Sequence, residues 1–161
     1  ISANFLWCES DQENWKEVIY IADDFKEKSG AAGTRTRGTI CQKGMWFSNK
    51  SINSAIDGKY NQYNPSIDTW VKAAKKRKYL YCSSASKEPT YYGWFQYSTE
   101  NWRSLSRKSL EYYSKSGSTE KTLNCSISSE DEVKFKWKEL EKMQLKTNKK
   151  IKSQIESNNV I

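Results

Sequence analysis

Residues 10–28 form the first strongly patterned stretch of the chain, and its apolar positions recur with a helical period. A capping box of Ser10 and Glu13 opens the stretch, and the apolar residues that follow lie one, three or four positions apart: Trp15, Val18, Ile19, Ala22 and Phe25. The β-branched residues within 18–21 favour a strand instead. The periodicity predicts a helix over 10–28.

The next segment, residues 29–38, has three glycines and no large apolar residue, which predicts a loop. The stretch after it is apolar enough to be buried, above all at Ile40, Met45 and Trp46. A short helix is predicted over 50–57.

Residues 64–78 carry a clearer helix signal. Asn64 is placed as the N-cap and Pro65 at the first helical position, and one face collects Ile67, Trp70, Val71 and Ala74. The far end is basic and carries two rings: Lys72, Lys75, Lys76, Arg77 and Lys78 stand beside Tyr79 and Tyr81. Cations there suit the negative end of the helix dipole, and the same mixture is typical of a patch that binds single-stranded nucleic acid. Both interpretations stay open.

The second half of the sequence predicts strands followed by one long helix. Residues 91–98 alternate as a strand does, and residues 108–127 predict two strands around a Ser-Gly turn. A partly helical loop over 105–113 is the alternative. A capping box that begins at Ser129 opens a helix over about 130–156. Because the apolar content thins towards the C-terminus, residues 146–161 are expected to be a fraying helix end.

Length and composition narrow the class of protein. At 161 residues and 18.8 kDa the chain is predicted to be one domain. Aromatic residues make up 14%, so the core is expected to be rich in large rings. No stretch approaches the roughly 20 apolar residues that a membrane-spanning helix requires. The net charge of +8 favours anionic partners, although it also serves solubility.

The chain contains no histidine, which excludes several mechanisms. Serine or cysteine nucleophiles activated by histidine and hydrolysis by a histidine-bound metal are ruled out. No two cysteines have a C-x-x-C spacing either, so no metal or other cofactor is expected. Any enzyme built on this sequence must use carboxylates, lysine, tyrosine or cysteine.

The four cysteines form an even set: Cys8, Cys41, Cys82 and Cys125. Together with a first residue, Ile1, that suggests a processed chain, they predict a secreted protein, extracellular or periplasmic. Two disulfides are expected, for which three connectivities exist. Four buried thiols in a cytosolic protein are the alternative.

Several motifs stand in an order that is typical of one family. The pattern Y-G-x-F-Q-x-x-x-x-x-W is carried by Tyr92, Gly93, Phe95, Gln96 and Trp102. Upstream stand "NFLWCE" at 4–9 and "IDGKYNQYNPSIDTWVKAAK" at 56–75, and downstream stands "CSISSED" at 125–131. Taken together, these motifs resemble the c-type lysozyme and α-lactalbumin family.

The resemblance implies an α+β fold, in which helices pack around a small antiparallel β-hairpin sheet and a long helix ends the chain. Within a single domain of residues 1–161, the lysozyme-like core would span about 41–145 and residues 1–40 would be an N-terminal extension or insertion. The family has more disulfides than four cysteines can form. The pairing expected here is Cys8 with Cys41 and Cys82 with Cys125.

The resemblance also implies that the catalytic acids are lost. Arg77 stands where the family keeps its general-acid glutamate, and Tyr91 stands where it keeps a second acidic residue. Glycoside cleavage with retention needs a protonated carboxylic acid and a carboxylate about 5 Å away, and an arginine stays charged. Glu88 and Glu100 flank the hairpin and are the remaining candidates for a recruited carboxylate.

The resulting hypothesis is a secreted, monomeric, non-catalytic lysozyme-like protein that binds a glycan or another partner as an effector or recognition protein. The ligand cleft would be lined by Gln96, Ser98, Asn101, Trp102 and Arg77. The arginine would suit an anionic sugar through charge-assisted hydrogen bonds. The alternatives are a peptidoglycan or chitin hydrolase with a rearranged carboxylate, and a basic nucleic-acid-binding module.

Overall fold

The computed structural model describes residues 4–10, 14–47, 60–96 and 98–158, and for residues 96, 98 and 99 the backbone alone. In chain order, its elements are β1 (Phe5–Glu9), β2 (Trp15–Ile21), β3 (Lys26–Gly30), β4 (Gly33–Trp46), α1 (Ile67–Lys75), β5 (Cys82–Lys87), β6 (Tyr91–Gln96), β7 (Ser98–Ser106), β8 (Glu111–Ser116), β9 (Thr119–Ser128) and α2 (Glu130–Asn158). The short helix expected over 50–57 lies outside the described residues.

The strands form one antiparallel sheet that closes into a barrel. Strands β4 to β9 pair in chain order, β9 pairs with β1, β1 with β2, and β2 with β4. Eight strands therefore close the barrel, while β3 pairs with the first half of β4 outside it. The expected lysozyme-like α+β fold is wrong. Strands β1 and β2, from the region expected to be an N-terminal extension, complete the barrel wall.

The segment predicted as a helix over 10–28 contains β2 and β3 instead. In β2, Val18 and Tyr20 belong to a core outside the barrel, whereas Ile19 between them belongs to the core inside it. A strand that is buried on both faces loses the apolar–polar alternation by which strands are recognised. Its β-branched residues were the better guide, because they favour extended backbone. Glu13 of the expected capping box lies outside the described residues.

Two hydrophobic cores lie on the two sides of the barrel wall, because side chains alternate between the faces of a strand. The inner core fills the middle of the barrel and takes at least one side chain from each wall strand: Leu6, Ile19, Ile40, Ala85, Trp94, Leu105, Tyr112 and Leu123. The outer core lies beneath the helices and includes Phe5, Trp7, Val18, Tyr20, Met45, Trp70, Val71, Val133 and Trp137.

The helix predicted over 64–78 is confirmed as α1, but a different residue caps it. Ser66 is the N-cap, and its Oγ accepts a hydrogen bond from the Thr69 amide at 3.3 Å. Asn64, the expected cap, accepts a hydrogen bond at its Oδ1 from Lys43 Nζ at 3.1 Å. The asparagine side chain is therefore used to bind β4 and not to start the helix.

The long C-terminal helix is confirmed as α2. Its start is capped by Ser129, whose Oγ accepts a hydrogen bond from the Glu132 amide at 3.1 Å. Val133 and Trp137 on its inner side are fully buried in the outer core. The helix continues to Asn158 through the segment that was expected to fray. Among the described residues, neither helix has the length and apolar character needed to cross a bilayer.

The strands predicted in the second half are also confirmed. Strands β6 and β7 form one hairpin, and β8 and β9 form another around Gly117, whose φ is +58°. Residues 29–38, expected to be a loop, instead hold the end of β3, a tight turn and the start of β4. Gly33 has φ +98° just after that turn, a conformation that glycine adopts without strain.

Both disulfides join residues that lie directly opposite each other on neighbouring antiparallel strands. Cys8 pairs with Cys125 between β1 and β9, and Cys41 pairs with Cys82 between β4 and β5. The pairing expected from the sequence is therefore wrong. It could not be read from spacing, because the first and last strands become neighbours only when the barrel closes.

Candidate ligand-binding site

One end of the barrel interior is hollow. A cavity of about 320 Å³ opens there, bordered by strands β2, β4, β7, β8 and β9. Its lining is mostly polar and comprises Trp15, Glu17, Gln42, Gly44, Arg103, Ser114, Ser116, Thr119 and Lys121. Trp94 of the inner core donates a hydrogen bond from Nε1 to Gln42 Oε1 at 2.9 Å. The cavity is thus a polar space at one end of the barrel that borders on the apolar inner core.

Strand register brings the charged groups of the cavity together. Arg103 of β7 lies opposite Ser114 of β8, which in turn lies opposite Lys121 of β9. Directly opposed residues point to the same face of a sheet, so these three side chains enter the barrel side by side. Glu17 enters from β2, where its partner on β4 is Gly44.

Gly44 makes room for two of the lining side chains. A Cβ at this position would overlap the ring of Trp15 and would lie 2.8 Å from Glu17 Oε1. Any larger residue must therefore displace the tryptophan or the carboxylate. The shape of the cavity depends on this glycine.

Glu17 is a buried acid, with 4% of its surface exposed. Trp15 Nε1 donates a hydrogen bond to its Oε1 at 3.1 Å, whereas Oε2 has no hydrogen-bond partner among the described residues. Burial raises the pKa of Glu17. The neighbouring Tyr112 hydroxyl, the tryptophan hydrogen bond and the charges of Arg103 and Lys121 lower it, but they only partly oppose that rise. The site therefore holds a carboxyl group that is protonated more readily than an exposed glutamate.

Lys121 lies against two tryptophans at the mouth of the cavity. Its Nζ is 3.8 Å from the ring centroid of Trp15 and 4.6 Å from that of Trp46. The two rings pack edge to face, with centroids 5.4 Å apart, and Trp46 is 44% exposed. Cation–π attraction holds the ammonium group at the entrance, where an arriving molecule would meet it.

Arg103 is anchored by the barrel wall. Its Nη1 donates hydrogen bonds to the carbonyl oxygens of Trp102 and Lys115, at 3.1 and 3.0 Å. The guanidinium is thereby fixed beside the cavity, which it also lines. The described lining thus combines two cations with one buried carboxyl group, an excess of positive charge.

Among the described residues, the side chains assigned by the lysozyme resemblance lie at separate places and not in one cleft. Arg77 lies just after α1 and forms ion pairs with Asp23 and Asp24, the latter at 3.0 Å. Tyr91 and Glu88 line an open surface depression at the end of the barrel that carries β3. The basis for treating Arg77 and Tyr91 as replaced catalytic acids is lost with the fold.

The remaining predicted residues lie around the β6–β7 hairpin. Trp102 and Glu100 line a shallow depression on the outside of the barrel with Phe95, whose ring centroid is 4.6 Å from that of Trp102. Asn101 Oδ1 accepts a hydrogen bond from Ser116 Oγ, 3.0 Å away, at the rim of the interior cavity. The side chains of Gln96 and Ser98 lie outside the described part of the structure. Glu88 and Glu100 line different depressions, so they do not form a carboxylate pair.

Glu17, Arg103 and Lys121 were missed by sequence interpretation. The sequence holds one signal for them. Each lies two residues before an inward apolar residue of its own strand, namely Ile19, Leu105 or Leu123, and therefore points to the same face. That signal can be used only when the strand and its inward face are known. A charged residue in register with inward apolar residues is then a candidate for the barrel interior.

Comparison of the chain with protein-family models, with curated proteins and with solved structures finds no match.

Proposed function

We propose that the protein is a secreted binding protein that holds a small organic anion in the interior cavity of its barrel. The observation that carries the proposal is the excess of positive charge there. Arg103 and Lys121 face the cavity, whereas the acid among its described lining residues, Glu17, has a raised pKa. In a low-dielectric interior, an anionic group would gain charge-assisted hydrogen bonds with both cations.

The dimensions favour a compact ligand. A volume of about 320 Å³ is at the lower end of the range of ligand pockets, and it corresponds to about ten water molecules at liquid density. Hydroxyl groups of Ser114, Ser116 and Thr119 offer further hydrogen bonds around the charged pair. A small carboxylic acid with one or two additional polar groups suits this cavity.

The disulfides support the secreted location. Both bonds lie within the wall of the barrel, and each has one fully buried cysteine, Cys8 or Cys41. Disulfides form and persist in oxidising compartments. A binding protein in such a compartment would carry or sequester its ligand.

The test is a titration of the purified protein with three sets of small molecules of matched size: carboxylates, amines and neutral polyols. Trp15 and Trp46 at the mouth provide a fluorescence signal, and calorimetry gives the affinity. We expect carboxylates alone to bind. Lys121→Met should weaken binding at least tenfold, because a charge-assisted hydrogen bond contributes about 1.5–3 kcal/mol. Lys149→Met, exposed on α2, is the matched control and should leave the affinity unchanged.

Glu17→Gln distinguishes an anionic from a cationic ligand. It excludes the ionised form of the side chain while keeping a hydrogen-bonding group of similar shape, so anion binding should be at least as tight as in the parent protein. Amine binding that is lost in Glu17→Gln would overturn the proposal. It would identify Glu17 as the counter-ion of a cation that displaces Lys121 from the tryptophans.

A further inference from the structure

The chain extends a two-stranded arm beyond the barrel. The arm comprises β3 and the first residues of β4, 26–37, joined by a tight turn. Every residue of β3 is exposed, and the facing residues 33–35 are exposed as well. The arm therefore contributes no side chain to either core over most of its length.

One face of the arm carries four cations. Lys26 lies directly opposite Arg37, and Lys28 lies directly opposite Arg35. Opposed residues share a face, and positions two apart along a strand share it too, so the four side chains form two adjacent rows. Arg37 Nη2 donates a hydrogen bond at 3.0 Å to Ser84 Oγ on β5, which places these rows on the outside of the barrel.

This arrangement is unfavourable for an isolated chain. Like charges directly opposite each other destabilise a strand pair. No ion pair within the described residues involves any of the four cations, and the acid of the arm, Glu27, lies opposite Thr36 on the other face. A bound polyanion would supply the missing negative charge.

The cationic rows continue into a groove with exposed aromatic rings. Arg37 and Ser84 line this groove, of about 420 Å³, together with Tyr79 and Phe95. Tyr79 is 90% exposed and Phe95 is 49% exposed. Flat rings of this kind pack against the apolar faces of sugar rings as readily as against bases.

We propose that this surface, the arm face with its aromatic groove, binds a sulfated polysaccharide. The two rows of cations are about 7 Å apart along the strand and would bind sulfate groups that repeat along a polysaccharide chain. Tyr79 and Phe95, in the adjoining groove, would pack on its sugar rings. The two disulfides favour a glycan over nucleic acid, because they indicate an oxidising compartment. The surface lies outside the barrel, so the proposal is independent of the interior cavity.

The test uses heparin as the probe, with calorimetry across a range of salt concentrations. We expect the double variant Lys28→Gln, Arg35→Gln to bind at least tenfold more weakly at physiological salt and to show a shallower salt dependence. The variant should fold at least as stably as the parent protein, because it removes an opposed pair of like charges. The control is Lys149→Gln, Lys152→Gln, which changes net charge equally on the exposed side of α2 and should bind nearly as the parent does.

Two further binding measurements decide the kind of partner. Chemically desulfated heparin should not bind, and a single-stranded oligonucleotide of equal charge should bind more weakly than heparin. Equal weakening in the arm variant and in the control would overturn the proposal, since only net charge would then matter. Equal or tighter binding of the oligonucleotide, or retained binding of the desulfated polymer, would overturn it as well.

Discussion

Arg77, two residues after the end of α1, has a backbone conformation that arginine seldom adopts, with φ 55°. Its amide donates a hydrogen bond to the Ala74 carbonyl at 2.9 Å, and the Lys78 amide donates one to the Ala73 carbonyl at 3.1 Å. This is the Schellman arrangement, in which glycine usually occupies the left-handed position. Ion pairs with Asp23 and Asp24 compensate for the missing glycine and tie the end of α1 to the chain between β2 and β3.

Substitution of Arg77 should separate the contribution of its ion pairs from the cost of its left-handed backbone conformation. Arg77→Ala loses the ion pairs and keeps the left-handed strain, so we expect the free energy of unfolding to fall by about 1 kcal/mol. Arg77→Gly loses the same pairs but relieves about 1 kcal/mol of strain, so it should remain close to the parent. Urea unfolding of both variants provides the measurement. A glycine variant as unstable as the alanine variant would show that the backbone is unstrained.

At the scale of elements, α1 and α2 meet the barrel around a buried lysine. Lys43 of β4 donates hydrogen bonds from Nζ to the Pro65 carbonyl at 2.8 Å and to Asn64 Oδ1 at 3.1 Å. The same Nζ lies 5.1 Å from the centroid of the Trp137 ring. Burial lowers the pKa of Lys43 to about 8, although the negative charge of Glu141 opposes this change. An ammonium group is therefore held beneath the helices at a cost in stability.

That cost predicts an unusual dependence of stability on pH. The pKa of Lys43 is 10.5 in the reference state and about 8 in the folded chain, so the unfolded chain keeps its proton to higher pH. The free energy of unfolding should therefore rise between pH 7.5 and 9.5, by about 2 kcal/mol. Lys43→Met should abolish the rise. Urea midpoints across this pH range are the measurement, and a parent protein with a flat profile would contradict the prediction.

The range must end near pH 9.5 because tyrosines with raised pKa values act in the opposite direction. The pKa values of Tyr60 and Tyr112 are raised, mainly by burial. Each tyrosine ionises first in the unfolded chain, so stability falls again once the pH passes the ordinary tyrosine value of about 10.

The elements that the sequence predicted are those whose pattern is local. Helix α2 has one buried stripe and a serine cap, and the β8–β9 hairpin has its glycine turn, so a short window contains the whole signal. Because strand β2 is buried on both faces, its apolar residues do not alternate with polar ones, and their spacing resembles that of a helix. Barrel closure and the positions of Glu17, Arg103 and Lys121 depend on pairing between distant segments, which no local pattern encodes.

The motifs that suggested a lysozyme have local causes of their own. A Cβ at Gly93 would lie 3.1 Å from the Trp102 ring and 3.2 Å from the Tyr91 ring, so the Tyr-Gly pair serves the packing of a barrel hairpin. Trp70 and Val71 belong to the buried face of α1 and pack in the outer core. Short aromatic motifs of this kind satisfy packing in more than one fold, which is why their order along the chain misled the interpretation.

At the scale of the whole molecule, the barrel is fastened where its first and last strands meet. Strand β1 pairs with β9, and Cys8 is bonded to Cys125 across this seam. The second disulfide, Cys41–Cys82, fastens β4 to β5 across the connection that contains α1. The two bonds close chain segments of different length, with sequence separations of 117 and 41 residues.

Removal of the two disulfides should therefore have unequal effects. On chain-entropy grounds the double variant Cys8→Ala, Cys125→Ala should lose about 5 kcal/mol of unfolding free energy, and Cys41→Ala, Cys82→Ala about 4 kcal/mol. Denaturant unfolding of both variants under the same conditions provides the comparison. The reverse order of stability would mean that distortion of the folded state, and not chain entropy, dominates at one of the bonds.

The bond across the seam also determines what a protease can achieve. A backbone cut at any one site between residues 8 and 125 leaves Cys8 on one fragment and Cys125 on the other, so the two pieces remain one covalent molecule. The exposed arm and the turns between strands could thus be nicked without release of a fragment. In an environment rich in proteases, the backbone of the barrel could therefore be cleaved at one site while its two fragments stayed joined by the disulfide.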